Sequence, residues 1–251
     1  MQWPYVLGLG YSIVLAFIYG VGQLSLEFMF VFTNILFPVT AGAVVLVSFW
    51  VMKKYVGHNP KPMFSMAWVF FSAGLALWFL AELTWTIYVL FFNSVPFPSF
   101  ADYLYFGGYA LMFSACFMIL ILFQTAFSRK KFMLDFGVTV GLSATVSGLL
   151  VVPIINSSED ILTTTLAAAY PILDIGLFAV AFSILLVFRE GAIGKAWMFI
   201  TLTVILNIVA DLLFTYVELQ GFYYEGHPLE LFWLWGYVAA MLGLYIHRRE
   251  L

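Results

Sequence analysis

Charged residues are scarce in this chain: they make up 9% of its 251 residues, whereas a soluble domain contains about 25%. Hydrophobic residues make up 64%, and the mean hydropathy is +1.04. This composition excludes a soluble globular protein. The apolar runs are long and do not alternate with polar residues, so they predict membrane-spanning helices and not barrel strands.

Other residue types are missing from the places where membrane proteins use them. Cys116 is the single cysteine, so an internal disulfide is excluded. No lysine lies in the interior of a span, which argues against a retinal Schiff base, and we expect no histidine inside a span, which argues against a bis-histidine haem. Gly-rich phosphate loops and nucleic-acid signatures are also absent. We therefore expect no cofactor, no metal site and no nucleic-acid partner.

Eight apolar runs are long enough to cross a bilayer, which requires about 20 residues per helix. The predicted fold is an all-α integral membrane protein with eight transmembrane helices. The predicted spans are residues 5–22, 28–53, 64–92, 99–127, 132–153, 166–188, 195–219 and 229–246. We predict a single membrane domain over residues 1–251, because the connecting loops are too short to fold alone.

All the lysines and arginines fall on one side of this arrangement. They are Lys53, Lys54, Lys61, Arg129, Lys130, Lys131, Arg189, Lys195, Arg248 and Arg249. The positive-inside rule makes this side cytoplasmic, so both termini are predicted inside and the protein is placed in the cell membrane. Most acidic residues, Glu159 among them, belong to the outer half or the outer loops. The basic side is also where anionic lipid or a cytoplasmic partner would bind.

The second half of the chain repeats features of the first. Pro38 corresponds to Pro171, Glu82 to Asp211 and Trp85 to Phe214, and the set Asp102, Tyr105, Gly108, Tyr109 corresponds to Glu230, Trp233, Gly236, Tyr237. We predict two four-helix repeats, over about residues 1–127 and 128–251. An even number of spans in each repeat makes them parallel, related by an axis normal to the membrane.

Acidic and aromatic residues near the outer ends of the spans form the candidate ligand-binding site. Its predicted residues are Glu82, Trp85, Asp102, Tyr105, Tyr109, Asp174, Asp211, Glu230, Trp233 and Tyr237. Glu82 lies about 15 Å deep at 1.5 Å per residue, and the outer half offers no base to pair with it. A carboxyl there is protonated, binds a cation or accepts hydrogen bonds. This favours an outward-facing aromatic–acidic cavity between the repeats; the alternative is a set of protonated carboxyls that holds the helices together.

Two parts of this pattern have further structural explanations. Asp102 and Glu230 begin helices just after prolines, where acidic residues cap free N–H groups and interact favourably with the helix dipole. The aromatic residues also fit the interfacial belt of membrane proteins.

Four motifs resemble a known family. They are P-F-P-S-x-A-D-x-x-Y-x-x-x-Y at Pro96–Tyr109, Y-P-x-x-D at Tyr170–Asp174, A-D-x-x-F at Ala210–Phe214, and G-x-Y-x-x-G-x-P-L-E-x-x-W-x-x-x-Y at Gly221–Tyr237. Together they resemble the multi-span sensory region ahead of prokaryotic GGDEF, EAL and histidine kinase signalling domains. The resemblance covers roughly Phe64–Tyr245, and no catalytic domain accompanies it in these 251 residues. The resemblance implies a sensory input module, which here stands alone and either signals through a partner or has been recruited for another role.

Three functional hypotheses follow. The leading one is a membrane sensory or ligand-binding module, not an enzyme, that binds a small ligand or cation and acts through a cytoplasmic or membrane partner. The second is a proton- or cation-coupled transporter with Glu82, Asp174 and Asp211 as relay sites. The third is an intramembrane enzyme on an isoprenoid or lipid substrate; Pro228-Leu229-Glu230 resembles a motif of the lycopene-cyclase membrane family.

Overall fold

A computed structural model describes residues 3–56, 62–156 and 160–250 of the chain. The described residues are 88% helical and contain no strand. The helices are α1 Trp3–Gly22, α2 Leu26–Tyr55, α3 Pro62–Phe92, α4 Phe100–Leu122, α5 Arg129–Ile155, α6 Ile161–Phe188, α7 Gly194–Leu219 and α8 Leu231–Glu250. Helix α5 contains a π-helical turn at Ser147–Val151. His58, a histidine expected to lie outside the spans, falls outside the described residues, as do Lys61 and Glu159.

All eight predicted spans are confirmed as helices that are long and apolar enough to cross a membrane. The protein is a multi-pass membrane protein. The ends of the spans differ from the predicted ones by a few residues, most at the end of α4 and the start of α6.

The extension of α8 makes one prediction wrong. His247 lies inside this helix and is 1% exposed, although we expected no histidine in a span. Its Nε2 lies 3.1 Å from the hydroxyl of Tyr55 on α2. The apolar run ends near Tyr245, but packing against α2 and α3 continues the helix by one more turn.

Six helices form a closed ring. In order around the ring they are α2, α3, α4, α6, α7 and α8, and α8 packs back against α2. Helix α1 lies outside the ring against α8, and α5 lies outside it against α6. Both outer helices bury few of their residues, and large apolar side chains such as Leu7 and Phe136 are exposed on them. Such surfaces match a lipid environment, so the ring forms the core.

The two ends of the ring differ in charge. The described lysines and arginines cluster where α2, α4, α6 and α8 end and α3, α5 and α7 begin, which we name the basic end. The opposite end is named the acidic end. It carries the starts of α4 and α8 and the loop of residues 220–227 between α7 and α8.

Close packing of α3 on α4 depends on Gly108. A Cβ at this position would lie 2.3 Å from the Trp78 ring and 3.0 Å from the carbonyl oxygen of Gly74. Both neighbours are in the buried core, so neither can move freely. The missing side chain of Gly108 therefore sets the approach of the two helices.

We expect Gly108→Ala to destabilise the protein by about 1–3 kcal/mol, the usual cost of overpacking a tight core. Thermal unfolding in detergent measures this effect. Gly20→Ala on α1 is the matched control, since a Cβ there meets nothing within 4 Å. Equal melting temperatures for the two variants would contradict the proposed packing role.

Candidate functional site

Two carboxyl groups occupy corresponding places in the two halves of the chain: Glu82 on α3 and Asp211 on α7. Both residues are half-buried, whereas Asp102, Asp174 and Glu230 are buried. The described part of the chain contains a single ion pair, Arg189 with Glu190 at the basic end. The carboxyls of the acidic end therefore have no positive partner among the described residues and depend on hydrogen-bond donors, protons or a bound cation.

Two tyrosines lie next to the carboxyl of Glu82. The hydroxyl of Tyr237 on α8 donates to Glu82 Oε1 over 2.6 Å. Tyr105 on α4 is the second neighbour of this carboxyl. The carboxyl on α3 thus links α4 to α8, which belong to different halves of the chain.

Asp211 lies in a matching network on the other side of the ring. The indole Nε1 of Trp233 donates to Asp211 Oδ1 over 2.9 Å, and the carboxyl of Asp174 lies next to that of Asp211. The two carboxyls could bond to each other only if one of them held a proton, because carboxylate oxygens only accept. The hydroxyl of Tyr109 donates to Asp174 Oδ1 over 2.5 Å.

The contacts in the two halves of the sequence are similar. Tyr105 lies next to Glu82 and Trp233 donates to Asp211, so each of these aromatic residues contacts the carboxyl of its own half. The tyrosine four residues later bonds a carboxyl of the other half: Tyr237 bonds Glu82, and Tyr109 bonds Asp174. Asp174 has no acidic counterpart in the first half, because the position three residues after Pro38 is Ala41, whereas three residues after Pro171 is Asp174.

Asp102 and Glu230, at the starts of α4 and α8, do not bond the aromatic residues that share their helix face. Asp102 accepts hydrogen bonds from the backbone N–H of Ser99 over 2.6 Å and from its hydroxyl over 2.8 Å. The hydroxyl of Tyr170 on α6 donates to Asp102 over 2.5 Å. The capping role considered for Asp102 is therefore present, and its third bond joins the start of α4 to the other half of the chain.

Glu230 forms the equivalent junction at the start of α8. It accepts hydrogen bonds from the hydroxyls of Tyr19 and Tyr223 over 2.9 and 3.0 Å and from the backbone N–H of Gly226 over 2.7 Å. Thr33 donates a further, short hydrogen bond. Glu230 therefore joins α1, α2 and the 220–227 loop to the start of α8.

Tyr170 was not among the predicted site residues. Its ring lies 6.5 Å from those of Tyr105 and Tyr109 and 4.8 Å from that of Phe106. The residue before the other helix proline, Phe37, makes a comparable contact with Trp233 at 6.3 Å. In the sequence, both Pro38 and Pro171 directly follow an aromatic residue, and this pattern could have indicated the contact.

Glu225 was also missed as a site residue. The 220–227 loop folds over the acidic end and inserts Glu225 between α2 and α3, where it accepts hydrogen bonds from Asn34 Nδ2 and Trp85 Nε1, both 3.3 Å long. Trp85, predicted as a residue of the ligand-binding site, thus bonds to this loop. Burial and the nearby charge of Glu230 raise the pKa of Glu225 to about 7.

A small cavity lies beside Asp174, among α3, α4, α6, α7 and α8. Its volume is about 40 Å³, enough for one to about three water molecules. Apolar side chains form most of its wall, with Trp78, Thr203 and Asn207 also bordering it. Asp174 is the one predicted site residue that lines it. The remaining predicted residues lie nearer the acidic end.

The site residues show no metal-binding arrangement: within the described ranges, no group of three or more histidine, cysteine or acidic side chains is placed to hold a metal ion. Comparison with protein families, with curated proteins and with solved structures gives no match.

Proposed function

We propose that the protein is a sensory or ligand-binding module of the cell membrane, which binds a small cation from the acidic end and acts through a partner protein. The proposal includes two parallel four-helix repeats, with both termini in the cytoplasm. The observation that carries it is the pair of half-buried residues Glu82 and Asp211, whose bonded network crosses between the repeats.

The packing supports the repeat. In the ring, α2 contacts α8 and α6 contacts α4. In a four-helix repeat α2 corresponds to α6 and α4 to α8, so these two contacts are equivalent. Trp68 and Trp197 are 129 positions apart, like Glu82 and Asp211, and both are fully buried. Each stacks on the last aromatic residue of the preceding long helix: Trp68 on Tyr55 at 5.7 Å and Trp197 on Phe188 at 6.4 Å.

The charge pattern supports the orientation. The described basic residues lie at one end of the ring, and the positive-inside rule assigns this end to the cytoplasm. Since α8 ends there and α1 begins there, both termini belong on the cytoplasmic side.

A cation is the natural ligand for this site. The carboxyls of Glu82 and Asp211 have no lysine or arginine partner among the described residues, and aromatic rings surround them. Such rings attract cations through their negative faces. A cation bound at Glu82 or Asp211 would compete with the hydrogen bonds from Tyr237 and Trp233, so binding would change the contacts between helices. This is how occupancy could reach the basic end and a partner.

The test is a thermal-shift titration of the detergent-solubilised protein with sodium, calcium, choline and spermidine. A ligand at 100 times its Kd stabilises a protein by about 2.7 kcal/mol, which is a shift of roughly 5–10 °C for a chain of this size. We expect such a shift with at least one of these cations and none with the double variant Glu82→Gln/Asp211→Asn.

The matched control is Glu27→Gln/Glu218→Gln, which removes the same charge from two exposed residues near the acidic end. It should keep the full shift. A shift that survives in the Glu82/Asp211 variant, or the absence of a shift with every probe, would refute cation binding at this site.

One observation favours the transporter as a second candidate. The carboxyls of Asp174 and Asp211 are neighbours, and the cavity that Asp174 lines is large enough to hold water. A proton or cation relay would use such a pair. Cation uptake by proteoliposomes under a pH gradient separates the two functions: a transporter accumulates the cation, whereas a sensory module only binds it.

A further inference from the structure

We propose that the basic ends of α2 and α8 bind the phosphate of an anionic phospholipid through Lys54 and Arg248. This site is separate from the carboxyl network of the acidic end and does not depend on the function proposed for it.

Two positive side chains meet at this place. Lys54 Nζ donates a hydrogen bond to the backbone carbonyl oxygen of Arg248 over 3.3 Å, which brings the last turns of α2 and α8 together. Within the described part of the chain, neither side chain has a carboxylate partner. The charge of Arg248 also acts on Lys54, and an anion between the two like charges would relieve their repulsion.

Arg248 is held in a position to bind such an anion. Its guanidinium carbon lies 5.1 Å above the ring of Trp50, and the Trp50 ring stacks on Tyr245 at 6.0 Å. The Nε atom of Arg248 is buried and has no hydrogen-bond partner among the described residues. A guanidinium with free donors in a fixed plane matches the geometry of a phosphate.

The surroundings favour a lipid over a free phosphate ion. Trp50 is 40% exposed, and Leu46, one turn deeper on the same side of α2, is 71% exposed. An apolar surface therefore continues from the two positive charges into the depth of the membrane. A phospholipid fits both parts, with its phosphate at Lys54 and Arg248 and an acyl chain along Leu46.

The test is a thermal-shift titration of the full chain in detergent with phosphatidylglycerol, with phosphatidylcholine of the same acyl chains, and with sodium phosphate. We expect stabilisation by phosphatidylglycerol alone. In Lys54→Gln/Arg248→Gln the apparent affinity for this lipid should fall about tenfold or more, because two charge-assisted hydrogen bonds are lost.

The matched control is Lys130→Gln/Lys195→Gln, which removes two exposed charges from the same end of the bundle. It should keep the wild-type response. Should the Lys54/Arg248 variant fold poorly, Arg248→Lys keeps the charge but loses the planar donor pair, and we expect it to weaken lipid binding by an intermediate amount.

Three outcomes would overturn the proposal. Equal stabilisation by phosphatidylcholine would mean that only the acyl chain is bound. An equal effect of sodium phosphate would mean a site for free phosphate. An equal loss of affinity in the Lys130/Lys195 control would mean a general charge effect of the basic end.

Discussion

Glu230→Ala is expected to destabilise the protein by at least about 3 kcal/mol. The side chain is 1% exposed and accepts hydrogen bonds from Tyr19, Thr33, Tyr223 and the backbone of Gly226. Tyr19 and Thr33 can still bond each other, so alanine would leave three of these four donors without an acceptor, and each buried unpaired donor costs about 1–3 kcal/mol. For a chain of this length the melting temperature should fall by roughly 6–12 °C, measured by thermal unfolding in detergent.

Two further variants separate the loss of the acceptor from the loss of the charge. Glu230→Gln keeps one carbonyl oxygen but turns an NH2 group toward at least one donor, so we expect an intermediate loss. Glu218→Ala removes an exposed carboxyl near the same end and should change the melting temperature little. A loss below about 1 kcal/mol for Glu230→Ala would show that other contacts hold the acidic end together.

The eight helices could be predicted because the membrane restricts the possibilities. A spanning helix needs about 20 apolar residues, and the charges of this chain mark the ends of its apolar runs. Packing between helices moved only the boundaries, as at His247, whose ring lies 4.4 Å from that of Trp68. The sequence did not indicate this last turn, because it does not show whether a histidine after an apolar run is buried or exposed.

The partners of the site residues could not be predicted. The spacing of Asp102, Tyr105 and Tyr109 places them on neighbouring positions of one helix, but it does not tell which helix that face meets. In the fold Asp102 bonds Tyr170 and Tyr109 bonds Asp174, both on α6. These pairs depend on how the ring closes, which is a property of the whole chain.

One signal in the sequence was available and was missed. Ala67-Trp68-x-Phe70 returns as Ala196-Trp197-x-Phe199, again 129 positions later. This match aligns the starts of α3 and α7, whereas the predicted correspondence of Glu82 with Asp211 aligned only the later turns of these helices. The position of Glu225 had no comparable signal, because it depends on the path of a loop that turns at Gly221 and Gly226, both with positive φ.

The 220–227 loop is expected to open more readily as pH rises from 5 to 8. The pKa of Glu225 is about 7 in the closed loop, against an ordinary value of 4.5, because burial and the charge of Glu230 disfavour its ionised form. Between these two values the closed state holds more protons than the open one, so raising the pH through this window weakens closure. The free energy of closure falls by at most about 3 kcal/mol and is constant above the window.

Limited proteolysis with chymotrypsin measures the opening, because the loop carries Phe222, Tyr223 and Tyr224 as cleavage sites. The rate for the wild type is divided by the rate for Glu225→Gln at each pH, which removes the pH dependence of the protease itself. Glutamine stays neutral and keeps an acceptor for Trp85 Nε1, so its loop should open equally at both pH values. We expect the ratio to rise by at least tenfold between pH 5 and pH 8.

Glu218→Gln controls for a general effect of charge at the end of α7, where Glu218 adds to the negative field at Glu225. This variant should retain most of the pH dependence, because Glu225 and Glu230 remain. A ratio that does not change with pH would mean that Glu225 is ionised in the closed loop. In that case the hydrogen bonds from Asn34 and Trp85 would suffice to hold a charged carboxylate over the acidic end, and the loop would be a fixed cover at neutral pH.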